Sequence, residues 1–158
     1  MSAIILHSGV QMKQQGTVAV ETMAIKNEID PTIYSQFRES VGWGMLLPEQ
    51  VEAILSNCIC FSMVLEGETI AICRILWDGG YTAYIADVIV EEKYRVQGIG
   101  KRMVNHALDV IRSRMQPGWR VKAILLAATG RESFYEQFGF VKRPNDHEGC
   151  GMNLMLKK

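Results

Sequence analysis

A run of β-favouring residues in this chain breaks into a glycine turn that leads directly into a helical pattern. The residues at 88–90 favour an extended strand, and Gly98 and Gly100 allow backbone angles and close approaches that a side chain would block. From Gly98 onward the apolar residues recur with a helical period. The first N–H groups of a helix have no intrahelical partner, and the helix dipole is positive there. The sequence therefore predicts a phosphate-binding cradle between the strand and the helix.

The spacing of the glycines excludes two familiar nucleotide-binding loops. A dinucleotide fingerprint needs a third glycine where this chain has Met103. A Walker A loop needs Gly where the chain has Arg95, and Ser or Thr where it has Arg102. The cradle is therefore expected to hold a phosphate ligand of another kind.

The overall composition makes any attraction for an anion a local property. The chain has 158 residues, enough for one domain with its own core, and its 17 basic and 17 acidic side chains cancel. This balance favours neither nucleic acid nor an anionic membrane, so neither partner is expected. No apolar run reaches the ~18 residues of a membrane helix, and Ala3–Leu6 is too short for the apolar core of a signal peptide.

The four cysteines, Cys58, Cys60, Cys73 and Cys150, contain no C-x-x-C pair and show no zinc-finger spacing. We interpret them as free thiols in a reducing compartment, so we expect no metal site and a cytoplasmic location. Cys58 and Cys60 are two residues apart in a β-like run, which should place them on one face of a strand.

Local signals predict one α/β (α+β) domain, a mixed central β-sheet with helices on both faces, over residues 17–158, preceded at 1–16 by an arm or an extra strand. Asp30 and Pro31 suit the N-cap and first position of a helix, and Asp78-Gly79 is a hairpin signal. The predicted strands are 17–25, 58–65, 69–77, 81–90, 121–128, 140–143 and 152–156, and the predicted helices are 30–39, 48–57, 98–115 and 131–138. The predicted order is thus β-α-α-β-β-β-α-β-α-β-β.

Two short motifs resemble the signatures of one enzyme superfamily. Arg95-Val96-Gln97-Gly98-Ile99-Gly100 resembles the R/Q-x-x-G-x-G/A signature of the GCN5-related N-acetyltransferase (GNAT) superfamily. Tyr135-Glu136-Gln137-Phe138-Gly139-Phe140 resembles the closing Y-x-x-x-G-F motif of that superfamily. The predicted element order is also that of the GNAT fold, and the resemblance covers about residues 17–158.

The resemblance implies acetyl-CoA as cosubstrate and indicates where it would bind. The implied pyrophosphate-binding residues belong to the signature and the residue after it: Arg95, Val96, Gln97, Gly98, Ile99, Gly100 and Lys101. The pantetheine arm would pair like an added strand with Val88, Ile89 and Val90, where the central parallel strands of this superfamily splay apart. Phe134 would flank the arm, and packing in the core is the alternative for this side chain.

The implied reaction is direct attack of an amine on the thioester, with no protein nucleophile. Tyr135 matches the superfamily's tyrosine and is the predicted general acid for the departing thiolate; simple packing on the sheet is the alternative. A strand N–H near Ile89 or Val90 would face the developing oxyanion. Asp87 is the candidate general base, expected on the same strand face as Ile85 and Ile89.

Other interpretations stay open for the base. The alternatives for Asp87 are to cap a turn or to pair with a basic side chain, and Glu91 and Glu92 are candidates for a base that acts through water. His147 is expected to be a surface histidine.

The predicted function is therefore transfer of an acetyl group from acetyl-CoA to a primary amine of a small molecule or a protein. A non-catalytic acyl-CoA-binding domain is the alternative. Trp43, flanked by two glycines, is interpreted either as a cover for the core edge or as a wall of the acceptor pocket. The resemblance also allows a homodimer.

Overall fold

A computed structural model describes residues 23–156. The predicted arm at 1–16 and the first part of the predicted strand at 17–25 lie outside the described residues. A five-stranded sheet forms the centre, with its strands in sequence order: β1 Met23–Lys26, β2 Ile59–Leu65, β3 Glu68–Trp77, β4 Thr82–Val90 and β5 Lys122–Ile124. The helices are α1 Pro31–Ser40, α2 Pro48–Ser56, α3 Ile99–Arg114 and α4 Glu132–Glu136, and a 3-10 turn covers Glu92–Tyr94.

The pairing of the strands confirms the predicted meander and crossover. β1, β2, β3 and β4 pair antiparallel with their neighbours, and β5 is parallel to β4. A parallel pair needs a long connection, which α3 supplies between β4 and β5. The first nine elements of the predicted order are therefore present, as a mixed α/β sheet.

The first helix begins at the predicted residues for the predicted reason. The Asp30 side chain accepts hydrogen bonds from the N–H groups of Thr32, at 2.9 Å, and Ile33, at 3.0 Å. Pro31 follows at the first helical position, where its missing N–H costs nothing. The helix then buries Tyr34 against the sheet.

The sheet carries one apolar cluster on each face. On one face, α3 contributes Ile99, Met103, Ala107 and Ile111 to a cluster with side chains of β2, β3 and β4. On the other face, α1 and α2 contribute Tyr34, Phe37 and Val51, which pack with Ile72 and Ile89. Burial of each large apolar side chain stabilises the fold by about 1.5–3 kcal/mol. The two clusters hold β4 between α3 and the α1–α2 pair.

The last two predicted strands are absent within residues 23–156. The segments at 140–143 and 152–156 have no strand partner within residues 23–156, and β5 has three residues where eight were predicted. Val141 and Leu154 are exposed at 74% and 82%. The apolar residues of these segments favour strands, but a strand also needs a neighbouring edge, and β5 ends at Ile124.

A β-bulge interrupts β4 and corrects the predicted placement of Asp87. Ala86 is opposite Arg74, and Ile89 is opposite Ile72, so Asp87 and Val88 together face one residue of β3. Asp87 has a φ of 51°, a left-handed angle that aspartate tolerates better than most residues.

The bulge shifts the alternation of side chains by one residue. Ile85 belongs to the cluster on the α3 face, whereas Ile89 belongs to the cluster under α1 and α2. Asp87 contacts Tyr34 of the second cluster. The expectation that Asp87 shares a face with both isoleucines was therefore wrong for Ile85.

No helix within residues 23–156 combines the length and the apolar character needed to cross a membrane.

Candidate active site

One end of β4 has strand partners on both sides, and the other end has a partner on one side only. Thr82–Tyr84 pair in parallel with Lys122–Ile124 of β5. From Ile85 to Val90, β4 pairs only with β3 in the part of the chain that the structure describes. We call residues 82–84 the closed end of β4 and residues 85–90 its open end. The separation of β4 from β5 matches the splay that the resemblance implies.

The backbone direction alternates from residue to residue along the open end, and this decides which N–H and C=O groups face the gap between β4 and β5. The N–H of Glu91 donates to a carbonyl of β3 at 2.9 Å, and Ile89 lies opposite Ile72. Successive residues of an antiparallel strand direct their backbone groups to opposite sides. Val90 therefore directs its N–H and C=O into the gap, whereas Ile89 directs its own toward β3. The Val90 carbonyl accepts a hydrogen bond from Arg95 Nε at 3.0 Å.

The first turn of α3 presents backbone donors beside this edge. Gly98 caps the helix in the left-handed conformation, with a φ of 79°. The first helical bond runs from the N–H of Arg102 to the carbonyl of Gly98, at 3.0 Å. The N–H groups of Ile99, Gly100 and Lys101 precede this bond, so they have no partner within the helix. The predicted pyrophosphate donors are thus grouped at a positive helix end.

The loop before Gly98 is held in an unusual conformation. Val96 has a φ of 62°, a left-handed angle that is rare for a β-branched residue, and its side chain is fully exposed. Gln97 donates from its side-chain amide to the carbonyl of Lys93 at 3.1 Å. The Arg95 side chain is exposed and bonds to the strand end. Strain of this kind is typical of ligand-binding loops, where the surrounding structure maintains it.

β4, α3 and α4 meet at a single point. A Cβ on Gly100 would lie 3.3 Å from Cζ of Phe134 and 3.7 Å from Cγ2 of Val90. The Phe134 ring therefore packs where the open end of β4 reaches the start of α3, and any side chain at position 100 would displace it.

Tyr135 stands next to this point. Its ring contacts Phe134 edge-on at a centroid distance of 4.9 Å, and the Phe140 ring lies 6.2 Å away. Burial raises the pKa of the Tyr135 phenol above its ordinary value, because a phenolate would lose its hydration. The phenol therefore keeps its proton at neutral pH.

Asp87 lies in a buried polar network at the bulge. Its Oδ2 accepts a hydrogen bond from the Tyr34 hydroxyl at 2.6 Å and also pairs with Nε of Arg74. The Arg74 and Asp87 side chains are only 14% and 9% exposed. Burial, together with the bond to Asp87, raises the pKa of Tyr34 to about 12. Pairing with a basic side chain, one of the open interpretations of Asp87, is therefore present.

Comparison with known proteins decides the family. A family model described as an acetyltransferase (GNAT) domain matches residues 56–142, more than half of the chain. This chain belongs to the GNAT acetyltransferase family. A curated relative, an uncharacterized N-acetyltransferase of Pyropia yezoensis, is 27% identical in an alignment of 120 residues that covers 72% of this chain and 66% of the relative. The chain thus spans just under two thirds of the length of that relative.

Solved GNAT structures share the fold. A GNAT family acetyltransferase of Streptococcus pneumoniae superposes with a TM-score of 0.70 at 20% identity, covering 87% of this chain and 98% of the other. A GNAT family acetyltransferase of Elizabethkingia anophelis, solved with acetyl-CoA bound, gives a TM-score of 0.59 at 16% identity over 75% of each chain. These similarities confirm the predicted fold class.

A cavity of about 340 Å³ lies between α1, α2 and their connecting loop. Trp43, Met45 and Leu46 form part of its wall, and Trp43 is 39% exposed. The Arg38 guanidinium stacks 5.2 Å from the Trp43 ring centroid and 5.8 Å from that of Tyr34. Trp43 therefore lines a cavity as well as covering the edge of the helical layer.

Of the remaining candidate bases, Glu92 and His147 lie at the surface and Glu91 is partly buried. Glu91 is 3.6 Å from the ammonium of Lys93, Glu92 begins the exposed 3-10 turn, and His147 is exposed in a loop.

Sequence reasoning missed Arg74 and Tyr34 as residues of the network. Arg74 stands in the otherwise apolar run at 70–77, and a buried charge needs a partner. Asp87 in the next predicted strand was a suitable partner, so the pair could have been found from the charges of neighbouring strands. Tyr34 gave no comparable signal, because an aromatic residue on a helix is usually only part of the core.

Proposed function

We propose that this protein transfers an acetyl group from acetyl-CoA to a primary amine. The observation that carries the proposal is the convergence, at one point, of the open end of β4, the N-terminus of α3 and the Phe134–Tyr135 pair. The family is established independently, and this geometry is what an acyl-CoA ligand needs: anion donors beside an unpaired strand edge.

The described residues fit acetyl-CoA in three respects. The N–H groups of Ile99, Gly100 and Lys101 would bind the pyrophosphate, and the basic Lys101 side chain adds charge. Val90 would pair with an amide of the pantetheine arm as an added strand does. Phe134 offers an apolar ring along the arm.

Acetyl-CoA supplies a thioester, whose carbonyl carbon takes the amine nitrogen while the CoA thiolate leaves. The Val90 N–H is directed into the gap and would donate to the carbonyl oxygen as negative charge develops there. Ile89 is the poorer donor of the two residues first considered, because its N–H is directed toward β3. Tyr135 holds a proton at neutral pH and would give it to the departing sulfur.

Asp87 is our proposed base for the ammonium form of the acceptor. An Asp87→Asn variant would then lose turnover near neutral pH and recover part of it at higher pH, where the free amine forms in solution. A purely structural role of Asp87 would instead lower stability, with turnover reduced by the same factor at every pH. The pH profile of kcat, measured beside the unfolding midpoint, separates these two roles.

The cavity between α1 and α2 is our proposed acceptor pocket. Its apolar wall and the Trp43 ring suit an amine with an apolar body, and Trp43→Ala should raise the KM for such an amine while leaving the affinity for acetyl-CoA unchanged.

A cytoplasmic location and a homodimer also belong to the proposal. All four cysteines are free thiols, as is usual in a reducing compartment, and the family resemblance supports the dimer. Cell fractionation and light scattering test the two points.

The first experiment compares the thermal unfolding of the protein with acetyl-CoA, CoA, NAD and ATP. A ligand at ~100 times its Kd adds about 2.7 kcal/mol, which for a chain of this length raises the Tm by roughly 5–11 °C. We expect a rise with acetyl-CoA and CoA and no rise with NAD or ATP.

A panel of amines, read by the release of the CoA thiol, then tests transfer. Thiol release that depends on an amine supports the enzyme. Binding of acetyl-CoA without any amine-dependent release would favour the non-catalytic acyl-CoA-binding domain.

A further inference from the structure

Cys58 and Cys60 form a close pair of thiols away from the gap between β4 and β5. Cys58 directly precedes β2 and Cys60 is its second residue, so their side chains lie on one side of the strand. The two sulfur atoms are 3.3 Å apart. A disulfide bond is about 2.05 Å long, so the sulfurs need to approach by little more than 1 Å to form one.

The end of α2 holds both thiols in this arrangement. The Cys58 thiol donates to the carbonyl of Ile54 at 2.9 Å, and the Cys60 thiol lies 3.7 Å from the carbonyl of Leu55. Both contacts come from the last turn of one helix, which fixes the position of the pair relative to the sheet.

The surroundings of the pair favour reaction at Cys58. Cys58 lines an open cavity of about 630 Å³ together with Trp77 and Trp119, so a small reagent can reach it. Cys60 lies opposite Arg74 in the β2–β3 ladder, which places a positive charge near both sulfurs. The hydrogen bond between the two thiols and the charge of Arg74 lower the pKa of Cys58 to about 7. The hydrogen bond between the thiols also raises the pKa of Cys60.

We propose that Cys58 and Cys60 are a redox-active dithiol, which a peroxide oxidises reversibly to a disulfide between them. Cys58 is the attacking sulfur and Cys60 the resolving one. The Cys58 thiolate attacks one oxygen of hydrogen peroxide, the O–O bond breaks, and a sulfenic acid and hydroxide result. The Cys60 sulfur then attacks the Cys58 sulfur, the S–O bond breaks, and the leaving hydroxide takes the Cys60 proton as water. Two electrons pass from the two sulfurs to the peroxide, and a dithiol reductant reverses the change.

The other two cysteines provide internal references. Cys73 is fully buried in the cluster on the α3 face, and burial raises its pKa. Cys150 is exposed in the C-terminal loop. The pair is also independent of the proposed acetyl transfer, so the failure of either idea leaves the other standing.

Peptide mapping of the full-length protein tests the proposal. Cleavage after Lys, Arg and Glu gives a peptide at 53–66 that holds Cys58 and Cys60, and separate peptides for Cys73 and Cys150. After brief treatment with hydrogen peroxide and alkylation of the remaining thiols, we expect peptide 53–66 to lose the mass of two hydrogens and to escape alkylation. Treatment with a dithiol reductant should restore the reduced mass. A peptide 53–66 that stays fully alkylated while Cys150 is oxidised would overturn the proposal.

Single variants assign the two roles. Cys60→Ser should gain one oxygen at Cys58, trapped by a sulfenic-acid reagent, and Cys58→Ser should oxidise at Cys60 at least about tenfold more slowly. Cys150→Ser is the control and should leave the disulfide unchanged. Equal oxidation rates of the two single variants would contradict the assignment of Cys58 as the attacking sulfur.

A measurement on the unaltered protein does not depend on the folding of any variant. Phenylarsine oxide bridges two thiols that lie close together, so it should add once to peptide 53–66 and protect both cysteines from alkylation. Failure to protect both would show that the sulfurs do not approach each other in solution.

Discussion

Both ends of β4 pair with β3 on one side, but only the closed end pairs with β5 on the other side. At the closed end, Ala83 has β3 on one side and Ala123 of β5 on the other. At the open end, Val90 has β3 on one side and a gap on the other, next to the first turn of α3. Backbone pairing completes the sheet at the closed end. At the open end, the Val90 N–H faces the gap, and the Val90 carbonyl accepts a hydrogen bond from Arg95.

The bulge at Asp87 and Val88 marks the change between these two ends. One extra residue re-aims every side chain that follows it, so that Ile85 and Ile89 enter different apolar clusters. The buried contact of Asp87 with Arg74 and Tyr34 ties the bulge to β3 and α1. The open end is thus held in place by side chains where β5 does not hold it.

Loss of the ion pair between Arg74 and Asp87 should have the largest effect on stability. Arg74→Met leaves the buried Asp87 carboxylate without its charged partner, and breaking such a pair costs about 3–5 kcal/mol of unfolding free energy. Urea unfolding measures the change. The control Arg112→Met removes an exposed pair with Asp109, whose side chains are 66% and 70% exposed, and should change stability by no more than about 0.5 kcal/mol.

A double variant keeps this prediction testable if Arg74→Met is too unstable to purify. Arg74→Met with Asp87→Leu removes both charges, and we expect it to regain much of the lost stability. A double variant less stable than the single one would contradict the role given to the pair.

Tyr135→Phe, with a control near the closed end, tests whether the phenol beside the open end donates a proton during acetyl transfer. In the proposed reaction Tyr135 gives its proton to the departing thiolate, so turnover with an amine should fall about 10²-fold, within the range for general acids, while the Kd for acetyl-CoA stays the same. Tyr81→Phe, at an exposed position before the closed end, is the matched control and should keep its turnover. Steady-state kinetics and calorimetric binding give the two values, and equal turnover in both variants would remove Tyr135 as the acid.

Tyr34→Phe tests the contact between α1 and the bulge. Removal of a hydrogen bond to a charged group costs about 1.5–3 kcal/mol. Because the pKa of Tyr34 is raised from 10.0 to about 12 in the folded protein, the folded state favours the protonated phenol. The stability that the protonated Tyr34 phenol adds to the folded state is complete below pH 10 and is lost as the pH rises toward 12. The stability of Tyr34→Phe should therefore fall less steeply over this interval than that of the wild type, and parallel curves would contradict the assignment.

Gly98→Val should weaken the ligand site more than the fold. Valine is strained at the φ of 79°, which disturbs the first turn of α3, and we expect the Kd for acetyl-CoA to rise at least about tenfold, or 1.4 kcal/mol. Gly118→Val is a matched control, since Gly118 has a φ of 83° and also has open space around it. The control should lose similar stability without losing affinity; equal loss of affinity in both variants would mean that general strain, and not the cradle, is responsible.

The elements set by local chemistry could be predicted from the sequence. The Asp78-Gly79 turn and the caps of α1 and α2 depend on residues close together in the chain, and so does the glycine turn before α3. For the same reason the glycine turn was predicted where the structure has it, with Gly98 capping α3. The structure adds a reason for Gly100, which is the close approach of Phe134.

Elements that depend on distant partners were predicted less well. β5 and the segments at 140–143 and 152–156 have strand-like patterns, but pairing is decided by which edges lie beside them. The bulge at Asp87 could not be seen in the pattern of β4, because the apolar residues at 88–90 suit either face of the sheet and so do not record the shift. Pairing of Asp87 with a basic side chain was one of the interpretations left open, but its particular partners, Arg74 and Tyr34, were not identified.

The most direct test of the open and closed ends is amide hydrogen exchange, resolved by residue, with and without acetyl-CoA. The amide of Ala83, within the β4–β5 ladder, should exchange slowly in both conditions. The amides of Val90 and Gly100 should exchange quickly in the free protein and become protected at saturating acetyl-CoA. Protection of Val90 that does not change when acetyl-CoA is added would contradict the claim that the open end of β4 is the binding edge.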